Sequence, residues 1–158
     1  MTLDEGCREA GDADVPRLAE LAASAVAELS ANRGGAMWAR TQARRPPFEP
    51  RLREEIASAT HRVLVGTLDD VPVAYAVVAV QALDGGGRLG VVTDLYVEPP
   101  ARGVGLGELL MDDLVAWCTT EGCVGIDSLA LPGDRATKNF FESFGLVARA
   151  IVVHRSLG

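Results

Sequence analysis

Residues 102–107 read Arg-Gly-Val-Gly-Leu-Gly, a basic side chain followed by three alternate glycines, and an apolar periodic run starts directly behind them. Glycine admits positive φ and carries no Cβ, so successive backbone N–H groups can converge on one anion, and a helix beginning there adds partial positive charge. The chemistry this spacing supports is the holding of a phosphate or diphosphate. A Walker loop would need two glycines five apart followed by Lys and Ser or Thr, and no lysine lies here. A dinucleotide fingerprint starting at Gly103 meets Glu108 where its third glycine belongs, and the motif falls too late for a complete doubly wound sheet to follow. What the residues do meet is R-x-x-G-x-G, at Arg102, Gly105 and Gly107, behind L-x-V-x-P at Leu95, Val97 and Pro99.

The surrounding periodicities supply the elements that would hold this loop. Residues 3–9 read as a short strand. Asp12 or Asp14 then caps a helix whose apolar positions Leu18, Leu21, Ala22, Ala25, Val26 and Leu29 recur at helical spacing. Residues 32–50 lose periodicity and gather Gly34, Gly35, Pro46, Pro47 and Pro50 among four arginines, which reads as a long loop or partly helical segment. A short helix fits residues 51–59. Strand-like runs follow at 62–68, 71–82 and 89–97, turned by Asp69-Asp70 and by Gly85-Gly86-Gly87, an antiparallel meander. The middle run is apolar on both faces, as a central strand covered on each side would be. Leu106, Leu109, Leu110, Leu114, Trp117 and Cys118 form one face of a second helix that Gly122 stops. A strand at 124–131, a helix at 135–144 and a last strand at 146–155 complete the order β-α-α-β-β-β-α-β-α-β. The class is α/β: a mixed, mostly antiparallel twisted sheet flanked by helices, one domain over residues 1–158.

Composition narrows the function. With 158 residues, 48% hydrophobic and 23% charged, the chain has material for one buried core. Fifteen basic against twenty-two acidic side chains leave a net charge of -7, contrary to the basic footprint of a nucleic-acid binder and favourable to a cationic substrate. Cys7, Cys118 and Cys123 make neither an even disulfide framework nor a C-x-x-C pair, and His61 and His154 stand without fellow ligands, so no metal site is expected. The first residues lack the basic and apolar stretches of a signal peptide, and the run at 73–80 is far short of the ~20 residues of a spanning helix. A cytoplasmic protein without a membrane partner is expected.

In its glycine motif the sequence resembles the GNAT superfamily of N-acetyltransferases, whose acyl-CoA diphosphate loop has the form R-x-x-G-x-G behind L-x-V. The resemblance extends to residues 8–14, similar to that family's first strand and helix start, and to residues 139–146, similar to its late helix and strand junction. It implies a sheet that splays at the cofactor site, where strand 94–97 leaves strand 125–130 and pantetheine pairs with the backbone of Leu95 and Val97. Implied cofactor contacts are Leu95, Tyr96, Val97, Arg102, Gly103, Val104, Gly105, Leu106, Gly107 and Phe141, with acetyl-CoA as cosubstrate. The implied activity is an acyl-CoA N-acyltransferase moving an acetyl group to a primary amine by direct attack through a tetrahedral intermediate, with backbone N–H at Tyr96 or Val97 facing the oxyanion. The acceptor is a small molecule or a peptide, and a homodimer is compatible with the family.

An amine of pKa about 10.4 is ammonium near neutrality and must lose a proton before it attacks. The resemblance makes Asp94 the candidate base, directly or through water, with Glu98 in reserve; Thr93 stands where some relatives have glutamate. Pairing with an arginine is the structural alternative for Asp94. Relatives carry a tyrosine acid where this chain has Phe141, which has no proton to give. Either CoA leaves as thiolate, or Tyr96, Ser128 or Ser143 supplies the proton through water. Trp38 is the candidate wall of the acceptor pocket. A second reading is a non-catalytic module that binds or senses acyl-CoA; a third is dinucleotide binding.

Overall fold

The computed structural model describes residues 2–158. Its elements run β1 (Glu5–Glu9), α1 (Val15–Ser30), α2 (Gly35–Thr41), α3 (Phe48–Ala57), β2 (His61–Leu68), β3 (Val71–Ala82), β4 (Arg88–Val97), α4 (Leu106–Thr120), β5 (Cys123–Asp127) and α5 (Arg135–Ser143). The five strands form one sheet in the order β1-β2-β3-β4-β5, antiparallel except for the β4/β5 pair. The apolar run of β3 lies at its centre, and strand alternation divides it between two cores. Ala74, Ala76 and Val78 face the α4 side, against Leu106, Leu110 and Leu114. Tyr75 and Val77 face the other side, against Leu18, Leu21, Ala22 and Leu52 of α1 and α3. The β2–β3 hairpin turns on Asp69 and Asp70, both at positive φ (48° and 64°), which aspartate tolerates better than bulkier residues.

Two irregularities of β4 shape everything that follows. Its register against β3 shifts between Val77 and Val78, which pair with Asp94 and Val92, so Thr93 is one residue extra on that strand. The bulge turns Asp94 toward the α1 side although Val92 packs on the α4 side. The ladder to β5 ends at Val91 and Asp127, and beyond that pair the two strands part.

Of the two readings of residues 32–50 the partly helical one holds, with α2 at Gly35–Thr41. The structure corrects the expected elements in three places. The next helix begins at Phe48, placing Pro50 in its first turn, where a missing N–H is harmless. The strand expected at 124–131 is β5, which ends at Asp127 because β4 has left its side. Finally, residues 146–155 form no strand: no neighbouring backbone among the described residues bonds to residues 147–158, and Arg149 ties the segment to Asp127 by side chains.

Candidate active site

A cavity of about 540 Å³ opens where β4 and β5 part. Asp94, Leu95, Tyr96 and Val97 of β4 line one wall, and residues 128–131 with Phe140 and Phe141 of α5 line the other. Arg102, Gly103, Gly105, Leu106 and Gly107 close one end, and Trp38 and Arg44 stand at its α1 side with Glu28 and Leu29. The residues expected at the site line this one cavity except Val104, Glu98 and Ser143. Val104 turns inward and packs against the core beside α4.

The glycine loop has the geometry of an anion cradle. Gly103 and Gly105 hold φ at 84° and 96°, and a Cβ at either would enter open space. None of the backbone N–H groups from Gly103 to Glu108 donates to a backbone carbonyl among the described residues. Orphan donors at a helix start suit the oxygens of a diphosphate, so the loop fits the cosubstrate that the motif suggests. Gly107 has a different reason to be glycine: a Cβ there would stand 3.1 Å from the Phe140 ring, so its smallness lets α4 and α5 approach.

At the opposite end lies a buried ion network. The Arg44 guanidinium donates from Nε and Nη2 to the two oxygens of Asp94, at 2.9 and 2.7 Å, and from Nη2 to Glu55 at 2.7 Å. The Tyr75 hydroxyl donates to Asp94 at 2.6 Å and the Thr93 hydroxyl at 2.7 Å. All three charged side chains are only 6–8% exposed. A carboxylate offers about four lone-pair sites, and those of Asp94 are taken. Burial alone would raise the Asp94 carboxyl; the hydrogen bonds and charge of Arg44, with those of Tyr75 and Thr93, outweigh it and hold the group below the ordinary carboxylate range. Burial and the Asp94 charge push the Tyr75 phenol well above its usual value. Arg51, at the surface, adds a second and looser pair to Glu55 at 3.6 Å.

Arg102 does not reach out to the loop it precedes. Its Nε donates to the Val97 carbonyl at 2.8 Å, its Nη2 pairs with Glu28 at 2.8 Å, and its guanidinium carbon stands 5.6 Å from the Tyr96 ring centroid. Burial, then the Glu28 charge, raises the Tyr96 phenol, which therefore keeps its proton at neutral pH. Glu98 is bound by Arg17 at 2.8 Å and lies outside the cavity lining, and Ser143 donates to the Phe140 carbonyl. Ser128 lines the cavity. Sequence reasoning did not single out Glu28, Tyr75, Glu55 or Arg44. Arg44 is one of four arginines in an aperiodic segment, and only the buried acids it meets distinguish it.

The site lies where an open, mostly antiparallel sheet parts beside a glycine-rich helix start. The sequence model of the acetyltransferase (GNAT) family matches residues 22–146. The chain belongs to that family, whose cosubstrate is acetyl-CoA. No curated protein matches it. Among solved structures, the tetramutant of a Bacillus halodurans protein superposes with a TM-score of 0.80 at 19% identity, covering 96% of this chain and 99% of that one. A Trypanosoma brucei acetyltransferase reaches 0.69 at 21% identity, covering 98% and 100%. An aminoglycoside N-acetyltransferase in complex with CoA reaches 0.75 at 13% identity, covering 99% and 97%. At these identities the likeness establishes a shared fold.

Proposed function

We propose that residues 1–158 act as one acetyl-CoA-dependent N-acetyltransferase whose acceptor is a primary amine on a small cationic molecule. The observation that carries this reading is the continuity of a single cavity from the amide cradle to the acidic end at Asp94. Bound acetyl-CoA supplies an activated acetyl thioester. Gly103, Gly105 and the first turn of α4 hold its diphosphate through main-chain N–H groups, and the edge of β4 at Leu95 and Val97, which has no strand beside it among the described residues, receives its pantetheine arm. The acid-rich lining of Glu28, Asp94, Glu108 and Asp134 attracts an ammonium group, and Trp38 walls the acceptor.

With its lone pairs occupied, Asp94 would have to release a donor before taking up a proton, so its part is to position the acceptor. Glu28 lines the same cavity and is engaged by Arg102; through a water it accepts the proton that the attacking nitrogen gives up. The neutral Tyr96 hydroxyl returns a proton to the departing thiolate, a task Phe141 cannot perform. Relatives of this fold that act on aminoglycosides support a small, multiply charged amine as acceptor.

The test is to follow CoA release from acetyl-CoA with the purified protein and a panel of polyamines, aminoglycosides, amino acids and peptides. Turnover confined to cationic amines is expected. Tight acetyl-CoA binding without transfer to any amine would instead assign a sensing role, which the loss of the tyrosine at Phe141 makes a definite competitor.

A further inference from the structure

Two of the three cysteines meet at the end of α4 that lies away from the cradle. The helix ends at Thr120, and Gly122, at φ 76°, reverses the chain with its N–H donating to the Thr119 carbonyl at 3.1 Å. In a helix stop of this kind the third residue from the helix end and the residue after the glycine bring their side chains together, ordinarily as an apolar contact. Here those two positions are Cys118 and Cys123. The turn therefore places two thiols where aliphatic groups would otherwise touch.

Packing holds both sulfurs on the α4 side of the sheet. Cys118 is buried, and a Cβ at Gly90 of β4 would stand 2.6 Å from its Sγ, so this glycine leaves the room that the sulfur fills. Cys123 is half-buried, opens β5 and packs on the same cluster. Both line a groove of about 200 Å³ with Val115 and Ile126. A water takes about 30 Å³ of the liquid, so a small peroxide has room to reach the pair. Burial, with Cys123 beside it, pushes the Cys118 thiol up to about 12 and keeps it protonated, which leaves Cys123 as the thiol that solvent meets first. Cys7 lies on β1, at the opposite edge of the sheet, its thiol pushed up to about 11 by burial and the charge of Asp113.

We propose that Cys118 and Cys123 form a reversible oxidation site for hydroperoxides, closing an intramolecular disulfide that ties the end of α4 to the start of β5. The Cys123 thiolate attacks the peroxide and the O–O bond breaks. Cys123 becomes a sulfenic acid, and the departing hydroxide or alkoxide takes up the proton that Cys123 gave to solvent. The Cys118 sulfur then attacks the Cys123 sulfur, the S–O bond breaks, and water leaves with the Cys118 proton. Two thiols and one hydroperoxide thus give one disulfide, one water and one further water or alcohol, with two electrons passing from sulfur to the O–O bond. Because Cys118 is already in place, the sulfenic acid is captured before a second peroxide carries it to the irreversible sulfinic acid. The inference does not depend on the proposed activity.

Treating the full, reduced chain with a few equivalents of hydrogen peroxide tests it. Thiol titration in denaturant should fall from three per chain to one, and the mass should drop by two hydrogens with no cross-linked dimer on a non-reducing gel. Cleavage after Glu121 should leave the two halves joined until dithiothreitol is added. In Cys118→Ala the sulfenic acid has no partner, and Cys123 should reach the sulfinic acid at least about 10-fold faster than in the wild type. Cys7→Ser should close the bond at the wild-type rate. The proposal is overturned if all three thiols survive, if the bond that forms joins two chains or involves Cys7, or if Cys118→Ala resists over-oxidation as well as the wild type does. The wild-type cleavage pattern decides alone should a variant fail to fold.

Discussion

The energetics of the site concentrate on one guanidinium. Arg44 serves two buried carboxylates at once, so removing a carboxylate and removing the arginine have unequal effects. Asp94→Asn leaves Arg44 paired with Glu55 and is expected to cost about 1.5–3 kcal/mol, the range for a hydrogen bond to a charged group. Arg44→Leu strands Asp94, leaves Glu55 only the looser pair with Arg51 at 3.6 Å, and should cost about 3–5 kcal/mol. At about 2–4 °C per kcal/mol for a domain of this length, thermal melting should fall by roughly 3–12 °C and 6–20 °C respectively; equal losses would show that the guanidinium is not shared. Because the folded Asp94 carboxyl lies below its unfolded value of about 3.9, its contribution is complete above that value and is lost as pH falls through the folded one. Urea titrations from pH 6 to pH 2.5 should therefore show the wild-type advantage over Asp94→Asn constant above about pH 5 and shrinking below about pH 4. Kinetics separate positioning from proton uptake. Glu28→Gln should lower kcat about 10²–10⁴-fold with the acceptor KM little changed, whereas Asp94→Asn should raise the acceptor KM and largely keep kcat. A fall in kcat of that size in Asp94→Asn would return the proton to Asp94.

Among the elements, α5 is the lightest support of the cavity and the easiest to loosen. Asp134 caps it, accepting from the Thr137 N–H at 3.1 Å and the Thr137 hydroxyl at 2.6 Å, and the helix carries Phe140 and Phe141 into the cavity wall. Asp134→Ala should cost about 1 kcal/mol of stability and weaken acetyl-CoA binding several-fold by titration calorimetry; unchanged affinity would mean that α5 is held by packing alone. The elements that sequence revealed most clearly are those whose periodicity reports burial on a defined face: α1, α4, and the β2–β4 meander with its Asp69-Asp70 and triple-glycine turns. The cradle was legible for a related reason, since only glycine holds the φ values at residues 103 and 105. Arg44 was not, because a long side chain that reaches acids 11 and 50 residues away leaves no local spacing to read. The bulge at Thr93 was equally hidden, although it alone turns Asp94 toward Arg44. The segment 146–155 reads as a strand from its residues, and the reading fails within one chain because a strand is defined by a neighbour that sequence does not name.

The charge of the whole molecule acts in opposite senses on the proposed cationic acceptor and on the diphosphate of acetyl-CoA. The chain carries a net charge of -7, and Glu28, Asp94, Glu108 and Asp134 line the cavity against Arg44 and Arg102. Arg44 is consumed by its own acids and Arg102 by Glu28, so an approaching cation meets an attractive field and an approaching diphosphate a repulsive one until it reaches the cradle amides. Between 0.01 M and 0.15 M ionic strength the screening length falls from about 30 Å to about 8 Å, which removes the long-range field and leaves hydrogen bonds at contact distance nearly intact. For a polyamine or aminoglycoside acceptor, kcat/KM should accordingly drop several-fold over that interval with kcat little changed, because steering acts on encounter and not on the bound complex. For acetyl-CoA the same salt should leave affinity unchanged or improve it, since screening relieves repulsion. Stopped-flow binding of acetyl-CoA and steady-state kinetics with the amine, run across one salt series, measure both arms. If acetyl-CoA affinity falls steeply with salt, the diphosphate is held by side-chain cations and not by the main-chain cradle, and the assignment of residues 103–108 fails with it.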